Sequence, residues 1–281
     1  MPDDLGDRMK FYEAVETDRR FLPMLPIYAR IDGRGFSRFT KGMTRPYDVR
    51  MTDAMIQTTV DLVGELQADC GYVQSDEISL VWYFPEFKSE MQFDRKVQKL
   101  VSVAASSAAA SFGVALLDKF EDGLQRLRRK PHFDCRVIQL PNLTEAANMM
   151  LWRNNDATKN AVAMAAHSMF SAKSLHGLGS AAMQERMFQE NNVNFNDYPE
   201  FFKRGTFVRR VTTERCLTED ELARIPAAKR PAPGQLFTRS KVQPVEVPRF
   251  SAVINRVGFL FQGEDPQVAL ASVPEQNSEA A

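Results

Sequence analysis

Cysteine is scarce: Cys70, Cys135 and Cys216 are odd in number, far apart and form no CxxC pair. That excludes a disulfide framework or a zinc knuckle and points to a reducing compartment. A charge excess of either sign is missing too, with 36 Lys+Arg against 36 Asp+Glu, so no global field announces a nucleic-acid partner. There is no GxxxxGK[ST] loop and no Ser-His-Asp signal, which weakens P-loop and hydrolase readings. The three histidines, His132, His167 and His176, have no metal-ligand spacing, and His167 on an Ala/Met-rich stretch reads as a packed or surface residue. The start, Met1-Pro2-Asp3-Asp4-Leu5, has neither a basic region nor an apolar core, so no signal peptide is expected. The most apolar run, 101–117, carries Ser102, Ser106, Ser107 and Ser111 and is too short and polar to span a bilayer comfortably. A cytoplasmic protein with no membrane partner is the expectation.

What is present is an ordinary globular composition, 44% hydrophobic and 26% charged, on a chain long enough for one large domain or two small ones. The charge is unevenly spread: residues 201–249 hold 11 Lys+Arg against 5 Asp+Glu, making that segment the candidate polyanion-facing surface.

In chain order, 1–24 reads as an N-terminal arm or helix lying on the domain, anchored by Phe11, Tyr12 and Phe21. A strand over 25–32 leads into a glycine-rich turn. A helix follows from Asp48 to about Asp69, with Met51, Met55, Leu62 and Leu66 on one face. Strands 70–75 and 78–84 form a hairpin around Asp76-Glu77, a long helix runs from Gln92 to Leu117, and 133–140 alternates as a fourth strand. The order β-α-β-β-α-β is the split βαβ, ferredoxin-like plan, an α+β palm, in which the first strand and the hairpin are neighbours. Helices are expected over 143–152, 156–173 and 180–190, and a short strand over 207–211. Residues 226–248, with five prolines, read as a linker or arm, Phe250–Gln262 as a small hairpin or returning strand, and 264–281 as a disordered tail. The domain reading is a palm over 1–140, a helical extension over 141–225 completing the catalytic region, and a proline-rich arm with a short β element and tail over 226–281.

Two strand-end acids, Asp32 and Asp76, with Glu77 beside the second, are placed to converge on one point. Such carboxylates can hold two Mg²⁺ ions about 4 Å apart against a polyphosphate, stabilising charge on the attacking and leaving oxygens. Gly33 and Gly35 would let backbone N–H groups approach phosphate oxygens closely, and Arg34, Arg38, Lys41 and Arg45 could neutralise a triphosphate. Arg153, Lys159 and Asn160 could meet a phosphate or base from a helix start near Asp156. On these residues alone a nucleotidyltransferase, a palm-domain nucleotidyl cyclase and a catalytically silent nucleotide- or RNA-binding palm all remain open.

Six blocks occur in order: RIDGRGFSRF (30–39), RPYD (45–48), QSDEISLVW (74–82), FDCRV (133–137), LWRNNDATKNA (151–161) and NNVNFNDYPEFFKRGT (191–206). Together they resemble the tRNA-His guanylyltransferase superfamily, which adds nucleotides to the 5′ end of tRNA, opposite to ordinary polymerases. The resemblance implies two Mg²⁺ held by Asp32, the Gly33 carbonyl and Asp76, with Glu77 supporting. It implies an incoming triphosphate held by backbone from Gly33 through Arg34 and Gly35 to Phe36, with Arg45, Asp48 and Ser75. It implies tRNA or second-nucleotide contacts at Arg153, Lys159, Asn160, Lys203, Arg204 and Arg209. The implied chemistry is activation of a 5′-monophosphate tRNA end with ATP or GTP, then attack by the 3′-OH of a nucleoside triphosphate, in a dimer or tetramer. The dedicated enzymes carry His-Ile-Asn-Asn-Leu-Tyr-Asn where this chain has 158–164, in which only Asn160 is kept. They carry a histidine at the position of Ser37 and a lysine at that of Arg45. In this the chain looks more like the paralogues that repair 5′-truncated tRNAs by templated addition.

Overall fold

Along β1 (Ile27–Arg34) alternate side chains part company: Ile27, Ala29 and Ile31 enter one apolar cluster, while Tyr28 enters another. The strand is therefore covered on both faces, and its far end carries Asp32 out of the core. The computed structural model describes residues 4–226, 229–232 and 234–269. Before β1 lies α1 (Asp4–Thr17); after it come α2 (Phe36–Phe39), α3 (Val49–Glu65), β2 (Cys70–Gln74), β3 (Glu77–Trp82), α4 (Val97–Lys119), α5 (Gly123–Leu127) and β4 (His132–Gln139). The remainder is α6 (Leu143–Met169), α7 (Ala172–Leu175), α8 (Ser180–Asn191), α9 (Glu200–Arg204), β5 (Thr206–Cys216), α10 (Glu219–Ala223), β6 (Leu236–Val245) and α11 (Arg256–Phe261).

The sheet order is β4-β1-β3-β2-β5-β6, with every pairing antiparallel. Strands β1 to β4 with α3 and α4 follow the expected split βαβ plan, and β5 and β6 extend the sheet beyond β2. One face is packed by α3 and α4. Asp48 caps α3 by accepting from the Arg50 N–H, and Met51, Met55 and Leu62 are buried as their spacing predicts. In α4 the buried stripe Leu100, Ala104, Ala108, Phe112 and Leu116 steps by four, its alanines allowing close approach to the sheet. By length and apolar composition alone α4 could cross a membrane, so length is not what argues against that; the stripe it buries against the sheet is. The other face is packed by α6 and α11, where Met150, Phe250, Phe259 and Leu260 join Tyr28, Tyr72, Val81 and Phe207. Each such large side chain contributes roughly 1.5–3 kcal/mol on burial.

Several expectations are corrected. Helix α1 forms but buries nothing: Phe11 and Tyr12 are 65% and 57% exposed, and only Phe21 anchors the arm. The break expected near 152–156 is absent, because Arg153 and Asn154 are buried inside a continuous α6 and Asp156 pairs with Arg153 one turn away instead of capping. The strand expected over 207–211 runs to Cys216, since β6 provides a partner along its whole length; the segment read as a linker therefore contains a strand. Residues 250–262 form a short 3₁₀ turn and α11, driven by burial of Phe250, Phe259 and Leu260. The expected tail falls outside the described residues from 270 onward.

Candidate active site

The β2–β3 connection is two residues long: Gln74 faces Glu77, with Ser75 and Asp76 between them. Ser75 takes a left-handed conformation (φ 55°), as tight hairpin turns require of a central residue. The turn is tied to β1 by the Gly33 N–H, which donates to the Asp76 carbonyl oxygen at 3.0 Å. A Cβ at position 33 would stand 2.3 Å from the Phe36 ring, so glycine is demanded there by close approach. Gly35 (φ 69°) turns the chain into α2, placing Phe36 in the core among Phe39, Phe112 and Phe133. Phe36 can thus offer a ligand its backbone but not its ring, and the Gly33 N–H is already engaged, leaving the N–H groups of the following turn.

Asp32 stands opposite Glu77 on β3 and Asp134 on β4, giving a row of three carboxylates across three strands. Glu77 is committed: Arg153 of α6 grips it through Nε to Oε1 and Nη2 to Oε2, each at 2.6 Å, and Arg153 Nη1 lies 3.2 Å from Asp156. Arg153 is 7% exposed, so it is not a free phosphate ligand but the group that holds Glu77 in place. Asp76 is different. Burial pushes its carboxyl up to about 6, the nearby charges of Asp32 and Glu77 push the same way, and a hydrogen bond from Ser75 Oγ at 3.1 Å offsets this only in part. No basic side chain pairs with Asp32 or Asp76 among the described residues. Asp134, which sequence reasoning passed over, has a buried Oδ1 with no hydrogen-bond partner; Arg136 Nη2 lies 3.3 Å away without hydrogen-bond alignment. Among the described residues no three ligating side chains converge. Two hard carboxylates without a cationic partner are the donor set that Mg²⁺, which keeps waters and substrate phosphates, accepts.

These acids line a cavity of about 640 Å³, together with Phe36, Arg45, Asp48, Ser75, Arg153 and Asn160 from the expected set. Its walls also include Met51 and Met55 of α3, Tyr47, Phe201 and Phe202. Tyr47 packs on Phe202 and Phe201 with ring centroids 4.8 and 5.2 Å apart, joining the loop after α2 to α9. His167, read from sequence as packed or surface, is exposed and lines the cavity, one turn beyond Met164 on the face of α6 that carries Arg153, Ala157 and Asn160. The spacing of four, three, four and three along that helix was the signal for it.

Asp48 lines the cavity with its carboxylate already occupied, accepting from Thr44 N, Arg50 N, Arg50 Nε and Arg50 Nη2 at 3.2, 3.1, 3.0 and 2.7 Å. The Arg50 contacts hold it down at about 2. These bonds fix the loop and leave the Asp48 carboxylate engaged within the protein. The same loop is buttressed from behind: Arg129 Nη1 donates to the Phe39 and Lys41 carbonyls at 3.0 and 3.4 Å, and the Phe120 ring packs beneath the Arg50 guanidinium at 4.7 Å.

The remaining expected residues are placed elsewhere. Arg34, Gly35 and Lys159 are exposed outside the cavity lining. Lys203 and Arg209 are corrections to the expected tRNA-facing set: both are buried. Lys203 Nζ donates to Asn196 O at 2.6 Å and pairs with Glu200 at 2.8 Å. Arg209 donates to the Glu264 and Phe259 carbonyls and pairs with Asp265 at 2.8 Å. Arg204 pairs with Glu200, and its carbonyl accepts from Tyr72 Oη and Asn154 Nδ2, both at 2.8 Å. The block 191–206 builds the cavity wall and ties β2 to α6.

A family model described as tRNAHis guanylyltransferase (Thg1) matches residues 6–141. The tRNA(His) guanylyltransferase of Saccharomyces cerevisiae is 30% identical over 220 residues, 73% of this chain and 91% of the yeast protein. An uncharacterized protein, R259, of Acanthamoeba polyphaga mimivirus is 30% identical over 225 residues, 73% of this chain and 77% of its own. A solved bacterial Thg1-like protein in complex with ATP aligns with TM-score 0.68 and 35% identity, covering 73% of this chain and 88% of that one. Another, in complex with GTP, aligns with TM-score 0.67 and 28% identity, covering 89% and 94%.

Proposed function

The chain belongs to the tRNA(His) guanylyltransferase family of nucleotidyltransferases, and from that premise we propose that it extends the 5′ end of a tRNA in the 3′–5′ direction. The observation that carries this reading is the pair Asp32 and Asp76, without cationic partners among the described residues, on the cavity that Arg45 and Asn160 also line. Asp32, Asp76 and the Gly33 carbonyl would hold Mg²⁺. When bound there, Mg²⁺ supplies charge neutralisation at the phosphate undergoing transfer. Glu77, fixed by Arg153, keeps the β3 end of this corner rigid. Backbone N–H groups of the turn after Gly33, with Arg45, hold the triphosphate. The tRNA 5′-phosphate attacks the α-phosphate of ATP or GTP, displacing pyrophosphate, and the 3′-OH of an incoming nucleoside triphosphate then attacks that tRNA phosphate, displacing the nucleoside monophosphate. Arg45, Ser37 and the 158–164 segment, where this chain departs from the dedicated enzymes, support templated repair over a single G added to tRNA-His. A dimer or tetramer is supported by α1, which buries none of its residues and exposes Leu5, Met9, Phe11, Tyr12 and Val15.

The test is to incubate 5′-labelled, 5′-monophosphate tRNA-His transcripts, full length and lacking the first nucleotide, with the protein, Mg²⁺, ATP and all four nucleoside triphosphates. Extension of the truncated transcript as dictated by the opposite strand is expected. One G added to the full-length transcript alone would instead mark a dedicated guanylyltransferase, and no extension of either would overturn the reading.

A further inference from the structure

The chain has two tryptophans, and they are used in opposite ways. Trp82 is 1% exposed and donates its Nε1–H to the Leu66 carbonyl at 2.9 Å, a core residue with its polar edge satisfied. Trp152 is 53% exposed on α6, immediately before the arginine that grips Glu77. Its ring lies against the Arg153 guanidinium, 4.7 Å from ring centroid to the guanidinium carbon. Because that guanidinium is fixed by Glu77 and Asp156, the indole rests on an immobile support within one residue of the catalytic corner.

The surroundings say what kind of partner fits. One helical turn to either side of Trp152 stand Asn148, Asn155 and Asp156, together with Met149, which packs partly buried against the core, so no other exposed large hydrophobic flanks the ring on α6. On the face of the sheet that α6 covers, Arg30 lies two residues before Asp32 and opposite Arg136 on β4. Arg136 lies 3.3 Å from Asp134, which leaves Arg30 as the cation on that face without an ion pair among the described residues. An exposed ring and a cation on one face are a combination by which proteins hold unpaired nucleic-acid bases, the ring stacking and the cation meeting phosphate.

We propose that Trp152 is a stacking platform for a nucleobase of the RNA beside the 5′ end undergoing extension. This rests on the functional reading above. Trp152 is a positioning residue: it sets where the RNA end sits relative to Asp32 and Asp76 and takes no part in phosphate transfer.

The experiment uses the full chain and a 5′-monophosphorylated tRNA acceptor-stem hairpin lacking its first nucleotide. Since Trp82 is enclosed, RNA-dependent quenching of tryptophan emission reports on Trp152; saturating quenching is expected in the native protein and none in Trp152→Phe. In extension assays Trp152→Ala should raise the KM for the hairpin about tenfold, with the KM for the nucleoside triphosphate and the thermal midpoint unchanged, and Trp152→Phe should restore most of the loss. RNA saturation with no change in emission, or a native hairpin KM in Trp152→Ala, would overturn the proposal. So would emission that changes on dilution of the protein without RNA, which would place a second copy on the ring. If the native protein neither binds nor extends the hairpin, the functional reading falls and this one with it; extension with a silent Trp152 removes this inference alone.

Discussion

Asp69 stands just before β2 with its Oδ2 accepting the Tyr83 N–H at 2.6 Å, and burial raises its carboxyl to about 7. The folded protein therefore binds this proton far more tightly than the unfolded chain, whose carboxyl stays near 3.8. Stability contributed by the neutral form is complete below about pH 4, is lost as pH rises toward 7, and levels off above that. Asp69→Asn keeps an acceptor for Tyr83 and removes the charge. It should be more stable than the native chain at pH 8 and close to it at pH 4, as read from denaturant midpoints; an equal difference at both values would contradict the assignment. At this scale the sequence was legible where chemistry is local. Asp32 and Asp76 stood out because each is an acid at a strand end, and both reach the cavity. Lys203 and Arg209 were misread because composition reports charge but not direction: Lys203 turns to the Asn196 carbonyl and to Glu200 of its own helix, and Arg209 to carbonyls and a carboxylate 50 residues or more away. Asp134 was passed over because its proximity to Asp32 exists only through the β1–β4 register.

Among the elements, the loop between α2 and α3 has the most supports. Asp48 gathers Thr44 and Arg50, Phe120 lies under Arg50, and Arg129 reaches from beyond α5 to the carbonyls at the end of α2. Neither Phe120 nor Arg129 lines the cavity, so their influence on nucleotide binding passes through the loop. Arg129→Ala removes the Nη1 donor shared by two bonds, of which the half-buried one to Phe39 O at 3.0 Å is the stronger and contributes on the order of 1.5 kcal/mol. It should raise the KM for the nucleoside triphosphate several-fold with kcat largely kept, and Arg129→Lys should lie between. A fall in kcat at unchanged KM would contradict a positioning role. Strands β1 to β4 and helices α3 and α4 were legible because each has its own period and its own start and stop residues. The later elements were less so. Helix α6 was cut in two because Asn154, Asn155 and Asp156 look like a cap, whereas tertiary burial of Arg153 and Asn154 carries the helix through them. Strand β6 was hidden by Pro244, which sits on the edge strand of the sheet where one face of its backbone needs no partner.

For the whole molecule, the sheet explains how distant blocks of sequence form one site. Order β4-β1-β3-β2 puts the β1 end and the β2–β3 turn side by side, and β5, entering beside β2, brings the 191–206 block against the cavity. Helix α6 crosses behind them and supplies Arg153, Asn160 and His167 to the cavity from one face. The central claim is that Asp32 and Asp76 are the chemical corner of this site. Its most direct test is the rate of nucleotide addition to the truncated tRNA-His transcript by the native protein and by Asp76→Asn, at saturating Mg²⁺ and triphosphates. The account predicts extension by the native protein and a loss of more than about a hundredfold in the variant. The variant should be at least as stable as the native chain above pH 7, because burial already disfavours the charge at that position. Addition by Asp76→Asn within a few-fold of native would contradict the account and move the chemistry away from the two strand ends.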